Sequence, residues 1–221
     1  MGKPTIDQIL NSLTNEVLLG RAYLTIADGL KDWDPIVLKC SPTFFGLSVE
    51  ASLQMSQMYV AKLYDKTKGA ITVKSLLDRA KIEASTFTHG TAQQVELAVK
   101  ESQNRIDGLQ GILKSIEKRR NEALAHLDPR TVIDSVGLAN RAKLTIADLR
   151  KVFEETSIIL NKILRLWKDT YASLEFIGSD DYKTALELIA DAKHAQVDRW
   201  EKEFPNTPCD FPRPNTPRRP Y

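Results

Sequence analysis

The chain has 221 residues, 42% of them hydrophobic, which is enough to bury one generous core and short for two. Its 31 basic and 29 acidic residues leave a formal net charge of +2, so overall charge points neither to nucleic acid nor to an acidic lipid surface, and any such partner has to be met by a local patch. The two cysteines, Cys40 and Cys209, lie far apart, which argues against a disulfide framework or a cysteine-based metal site and fits a reducing cytoplasm.

The opening "MGKPTIDQIL" lacks the apolar core of a signal peptide, and no stretch reaches the roughly eighteen apolar residues of a membrane span, so a soluble chain without membrane contact is expected. Gly2 does not form a myristoylation signal, because Ile6 stands where Ser or Thr is required. Ile6, Ile9, Leu10, Leu13, Val17 and Leu24 recur at steps of three and four and predict a first helix, ending near "DGLKDWDP". The stretch through Pro35, Cys40 and Pro42 reads as turns. A second helix follows, with Phe45, Val49, Leu53 and Val60 near one face. Thr72 is a candidate cap for the shorter helix "VKSLLDRAKIEA", since its hydroxyl can accept from an orphan first-turn amide.

After the loop "TFTHGT", a stripe of Val95, Ala98, Ser102, Ile106, Leu109, Leu113 and Ile116 continues to Arg120, Ala123 and Leu127. Gly108 and Gly111 each cost about 1 kcal/mol relative to alanine inside a helix, which marks a place for a break or bend. Asp128 precedes Pro129 and is pushed out of the α region, so the helix is expected to end there. Beyond a loop containing Gly137, Thr145 caps a second long stripe of Ile146, Leu149, Phe153, Thr156, Leu160, Ile163, Trp167 and Leu174. "GSDD" opens a last helix with Leu186, Ile189, Ala190 and Val197, reaching about Phe204. The segment "LTIAD" occurs at 24–28 and at 144–148, but the first copy ends a helix and the second opens one, so it does not mark a repeat. No strand alternation is visible. The expected architecture is all-α: an up-and-down bundle of about five to six helices in a single domain, residues 1–204, followed by a Pro-rich flexible tail, 205–221, with six prolines.

Nucleotide-binding glycine motifs, a serine-nucleophile elbow and a zinc-hydrolase HExxH are absent. His89 lies in a loop, and His194, near Asp191 and Asp198, is read as part of a solvated helix face; no metal is assigned and no cofactor is implied. The informative segment is "EKRRNEALAHLDPR", residues 117–130. Arg120 occupies a stripe position where an apolar residue is normal, so its guanidinium should face a packed surface and needs a partner. One reading supplies Glu117 as that partner, with Arg120 and His126 favoured near a helix C-terminus by about 0.3–1 kcal/mol each. The other notes that arginine grips phosphate through a planar fork while histidine moves protons near neutral pH, a pairing suited to phosphodiester chemistry. In an ideal helix the two residues lie roughly 120° and about 9 Å apart. Convergence therefore needs a break in the helix or a second copy of the segment across a two-fold axis.

Arg120-Asn121-Glu122-Ala123-Leu124-Ala125-His126 resembles the R-x(4–6)-H signature of the HEPN superfamily, with Asn121 as the polar residue that often follows the arginine. The continuation "AHLDP", the upstream "YVAKLYDK" and "GAITVKSLL", and the length resemble the U-type abortive-infection (AbiU2-like) branch over most of residues 1 to about 200. The resemblance implies a HEPN-like fold and a metal-independent endoribonuclease of the toxin or antiphage-defence type, acting as a homodimer on RNA. By position, Arg120 would hold the scissile phosphate, His126 would act as general base or acid on the 2′-hydroxyl, and Asn121 would orient the phosphate. Lys118 and Arg119 would contact the RNA backbone. An antitoxin protein is a further implied partner, but the tyrosine that some such toxins carry two residues after the histidine is replaced by Asp128. The alternative is a catalytically inactive helical interaction or nucleotide-binding module.

Overall fold

The computed structural model describes residues 3–121, 143–175, 178, 181–209 and 211–218. Among them the chain is all-helical: α1 (Ile6–Lys31), α2 (Pro35–Leu38), α3 (Pro42–Leu63), α4 (Val73–Ile82), α5 (Ala92–Gly108), α6 (Gln110–Arg119), α7 (Ile146–Lys168) and α8 (Tyr182–Glu203), with a 3-10 turn at Ala84–Thr86. No described helix is long and apolar enough to cross a membrane. Ala123, Leu127, the expected stop at Asp128–Pro129 and the Gly137 loop lie outside the described residues.

The eight described helices exceed the expected number for two local reasons. The stretch read as turns contains α2, which starts because Asp34 Oδ1 accepts from the Ile36 amide at 2.9 Å and Pro35 occupies a position where a missing N–H costs nothing. The stripe from Thr91 is interrupted after Gly108, where the Leu109 amide turns to the Ile106 carbonyl at 3.0 Å before the ladder resumes in α6.

The chain divides into two compact units, one of residues 1–24 and 54–176, the other of 25–53 and 177–221. In the first, α7 is the central element. Thr145 caps it reciprocally: its hydroxyl accepts from the Asp148 amide at 3.1 Å, and Asp148 Oδ2 accepts from the Thr145 amide at 2.9 Å. Thr145→Ala is expected to lower the unfolding free energy by about 1 kcal/mol, read from the urea midpoint. An unchanged midpoint would show that packing alone sets the start of α7.

The buried face of α7 carries Leu149, Val152, Phe153, Thr156, Ile159, Leu160 and Ile163. Antiparallel to it runs the first part of α1, where Asp7 accepts from Trp167 Nε1 at 3.0 Å and pairs with Lys168 at 2.5 Å. About four turns earlier in α7, Phe153 reaches Gly20: a Cβ on Gly20 would stand 2.4 Å from Phe153 Cζ and 2.9 Å from Tyr59 Cβ, so only glycine admits this approach. α5 is also antiparallel to α7, through Arg105–Glu155 at 2.5 Å and the Glu101–Lys162 pair, and it packs on α4 as well.

α7 stops at Lys168 instead of running to Leu174. Asp169 adopts the left-handed conformation (φ 48°, ψ 40°), and its amide closes on the Arg165 carbonyl. Leu174 is nevertheless buried, because Asn161 clamps the returning chain: its Oδ1 accepts from the Ala172 amide at 2.8 Å and its Nδ2 donates to the Ala172 carbonyl at 3.2 Å. An apolar residue in phase with a helix thus joins the core by a turn.

In the second unit, Leu30, Val37, Phe45, Leu186 and Ala190 form the core, with Trp33 and Tyr182 edge to face. α8 follows Asp181, with no side-chain cap. Prolines keep the segment after Phe204 out of any helix, but its side chains find acceptors on α8: Arg213 bonds Asp198 and Glu201 at 2.9 and 2.6 Å, and Arg218 pairs with Asp198. Pro214 is buried, and Phe211 packs on Trp200. Thr216 donates its amide to Asp34 Oδ2 at 2.9 Å. Burial would push the Asp34 carboxyl up, but the amides of Thr216, Ile36 and Asn215 outweigh it and hold the group below the usual carboxylate range. His194 is not on a solvated face: it is 9% exposed, covered by this segment, with Nε2 donating to the Thr216 carbonyl at 2.9 Å.

Candidate functional site

Within the first unit, the end of α3, the loop from Tyr64 to Thr72, the start of α4, the end of α5 and α6 enclose an open cleft of about 880 Å³. Local sequence chemistry shapes its wall. Asp65 Oδ1 accepts from both the amide and the hydroxyl of Thr67, at 2.9 and 2.8 Å, which folds the loop back on itself. Gly69 takes φ +88°, a conformation that side chains rarely adopt. Thr72 and Ser75 then exchange hydrogen bonds as the cap of α4, as the Thr72 reading anticipated. Lys66 ties the loop to α6 through Glu117 at 2.7 Å.

The floor is apolar, with Val60, Ile106 and Ile116 buried, while Lys74, Lys114, Gln103 and Gln110 stand exposed around it. Tyr64 closes the inner end. Thr156 spends its only hydroxyl proton on the Val152 carbonyl at 2.7 Å, so the Tyr64 hydroxyl donates to Thr156 Oγ1 at 2.7 Å. Burial, reinforced by the nearby Glu155 carboxylate, pushes the phenol up to about 12.

Arg120 lies at the α6 end of the cleft and is half-buried. Glu117, the partner offered by the helical spacing, is taken by Lys66; Arg120 Nε donates instead to Asn121 Oδ1 at 3.1 Å. The Arg120 charge also reaches Asp65, whose carboxyl lies below its usual range chiefly through the Thr67 amide and hydroxyl, with Arg120 adding to the effect. Arg120 and Asn121 have π-helical backbone, so the regular α-ladder of α6 widens where the two side chains meet, a distortion frequent at functional sites. Lys118 and Arg119 are half-buried on the same turn and are not part of the cleft wall. His126 lies outside the described residues.

The structure thus joins Arg120 to Asn121 and adds residues that the sequence reading missed: Asp65, Lys66, Lys74 and Lys114. The Asp-x-Thr and Gly of "YDKTKGA" signalled a tight loop, but nothing in the spacing tied that loop to a helix fifty residues later. A fixed guanidinium beside an amide oxygen, opening on a space with exposed lysines, can hold an anionic group and orient it. Among the described residues, no three His, Cys, Asp or Glu side chains gather as a metal-holding cluster.

Comparison with known families finds a match to the family described as AbiU2, of HEPN type, over residues 5–195. No curated protein and no solved structure matches the chain.

Proposed function

The chain belongs to the AbiU2 family of HEPN-type abortive-infection proteins, and from that premise we propose that it is a metal-independent endoribonuclease acting as a homodimer. The observation that carries the reading is Arg120: a half-buried guanidinium, bonded to Asn121, at the α6 end of the cleft and at the first position of the family's Arg–His motif.

In this reading Arg120 holds a non-bridging oxygen of the scissile phosphate and stabilises the charge that grows on it, with Asn121 fixing the plane of the guanidinium. His126 takes the proton from the ribose 2′-hydroxyl. The 2′-oxygen attacks phosphorus, the bond to the 5′-oxygen breaks, and that oxygen takes a proton from water while the His126 imidazolium later returns its proton to solvent, giving a 2′,3′-cyclic phosphate and a 5′-hydroxyl. Lys118 and Arg119 contact the RNA backbone. Two copies are part of the reading because in an ideal helix Arg120 and His126 would lie roughly 120° and about 9 Å apart, so a second copy of the segment would have to supply the other member of the pair.

One observation favours the non-catalytic alternative: the Arg120 guanidinium already has an amide acceptor and a nearby carboxylate, as a purely structural arginine would. Purified protein incubated with RNA in excess chelator separates the two. Cyclic-phosphate ends, lost in both Arg120→Ala and His126→Ala, are the expected result; intact RNA with clean wild-type protein would leave only the binding module.

A further inference from the structure

The cleft is larger than gripping one phosphate requires, and its walls are chemically divided. At about 880 Å³ it falls in the range of pockets that engulf a drug-sized molecule, roughly 300–1,000 Å³, and a nucleotide is of that size. Half-buried Ala61, Ala70 and Leu113 add accessible apolar surface to the lining of buried Val60, Ile106 and Ile116, and a flat base can lie on it. Gln110 and Asp78, exposed at the edge, offer an amide and a carboxylate to the polar edge of a base. Positive charge comes from two walls, Lys74 on α4 and Lys114 on α6, with Arg120 at the end. Of the lining acids, Glu117 pairs with Lys66 and Asp65 feels the Arg120 charge, which leaves Asp78 to offset part of the charge of Lys74 and Lys114 and keeps the lining one charge positive.

From this arrangement we infer that the cleft is a subsite for one splayed-out nucleotide of single-stranded RNA, with its base on the floor and its phosphates against Lys74 and Lys114. A paired, stacked base has no free face to present and is excluded, which makes the subsite a selector for unpaired RNA. The inference takes the location of the cut phosphate, at Arg120, from the ribonuclease reading. The subsite itself needs only binding.

The test uses full-length protein and a fluorescent 2′-O-methyl RNA oligonucleotide, which has no free 2′-hydroxyl and cannot be cleaved, with anisotropy as the readout. Lys74→Gln/Lys114→Gln is expected to weaken single-strand binding about 10-fold and to reduce the slope of log K against log salt by about 1.4, two contacts at about 0.7 each. The control Lys81→Gln/Lys151→Gln, at two exposed lysines outside the cleft wall, should leave both unchanged. The same sequence as a duplex should bind more weakly than the single strand. Equal losses in the two double variants, no loss in the cleft variant, or equal binding of duplex and single strand would each overturn the inference. The outcomes separate it from the ribonuclease reading: wild-type protein that cuts no RNA but loses oligonucleotide binding in the cleft variant keeps the subsite and removes the nuclease. Cleavage with binding indifferent to the cleft lysines does the reverse.

Discussion

Arg120→Ala is expected to reduce kcat/KM for RNA cleavage by about 10²–10³-fold, the cost of removing one pre-organised group from the growing charge of a transition state. The loss should not come from unfolding. Arg120 is half-buried, and the carboxyl of its neighbour Asp65 is held low first by the Thr67 amide and hydroxyl, so that loop keeps its main support when the guanidinium goes. An unchanged melting temperature beside the lost activity is the expected pattern. Arg120→Lys restores the charge but not the planar fork and should recover only part of the rate. His126→Ala should cost about 10²–10⁴-fold, the usual contribution of a positioned proton carrier. Mixing the two inactive proteins then asks whether the site is shared between copies: with random pairing, half of the dimers hold one of each chain and one intact site, so about a quarter of wild-type activity should return. No recovery would place both residues of a working site on one chain.

The largest stability effect is expected at Phe153. Its side chain is 1% exposed and lies against Gly20 of α1. Phe153→Ala removes a large buried ring and leaves a hole that two long helices cannot easily collapse, at a cost of about 3–5 kcal/mol. At roughly 2–4 °C per kcal/mol for a chain of this size, the melting temperature should fall by about 6–20 °C. Gly20→Ala tests the same contact from the other side. Alone it should destabilise, because the new methyl stands 2.4 Å from the ring; in the Phe153→Ala background the space is free, and alanine's helix preference of about 1 kcal/mol should make it neutral or stabilising. Equal costs in both backgrounds would show that the ring is not what confines Gly20.

These two residues also mark what the amino-acid order does and does not disclose. Phe153 was legible: it falls on the α7 stripe, behind a reciprocal cap at Thr145, and such a stripe buries its apolar residues whatever they pack on. Its partner Gly20 was not, because a close approach between distant helices leaves no periodic trace. The break after Gly108 was signalled by glycine, whereas α2 is only four residues long and too short for any period to show. Leu174 looked helical by phase and reaches the core through the Asn161 clamp. At the site, Arg120 and Asn121 stood out as a motif, but the cleft they open on depends on the Asp65–Gly69 turn, brought to α6 by tertiary folding.

The hydrogen bond from Thr216 to Asp34 has a consequence for the order in which the molecule assembles. The second unit is made of two stretches that flank residues 54–176, and this bond joins positions 182 apart. Closing so long a loop through an unfolded chain carries an entropy cost that grows as the logarithm of its length, about 0.6 kcal/mol per doubling, before any contact repays it. A folded intervening segment shortens that path to the distance between its own two ends. Loop closure therefore places the pairing of α2 with α8, and the Thr216–Asp34 contact that seals it, late in folding, after the helices around Phe153 have condensed.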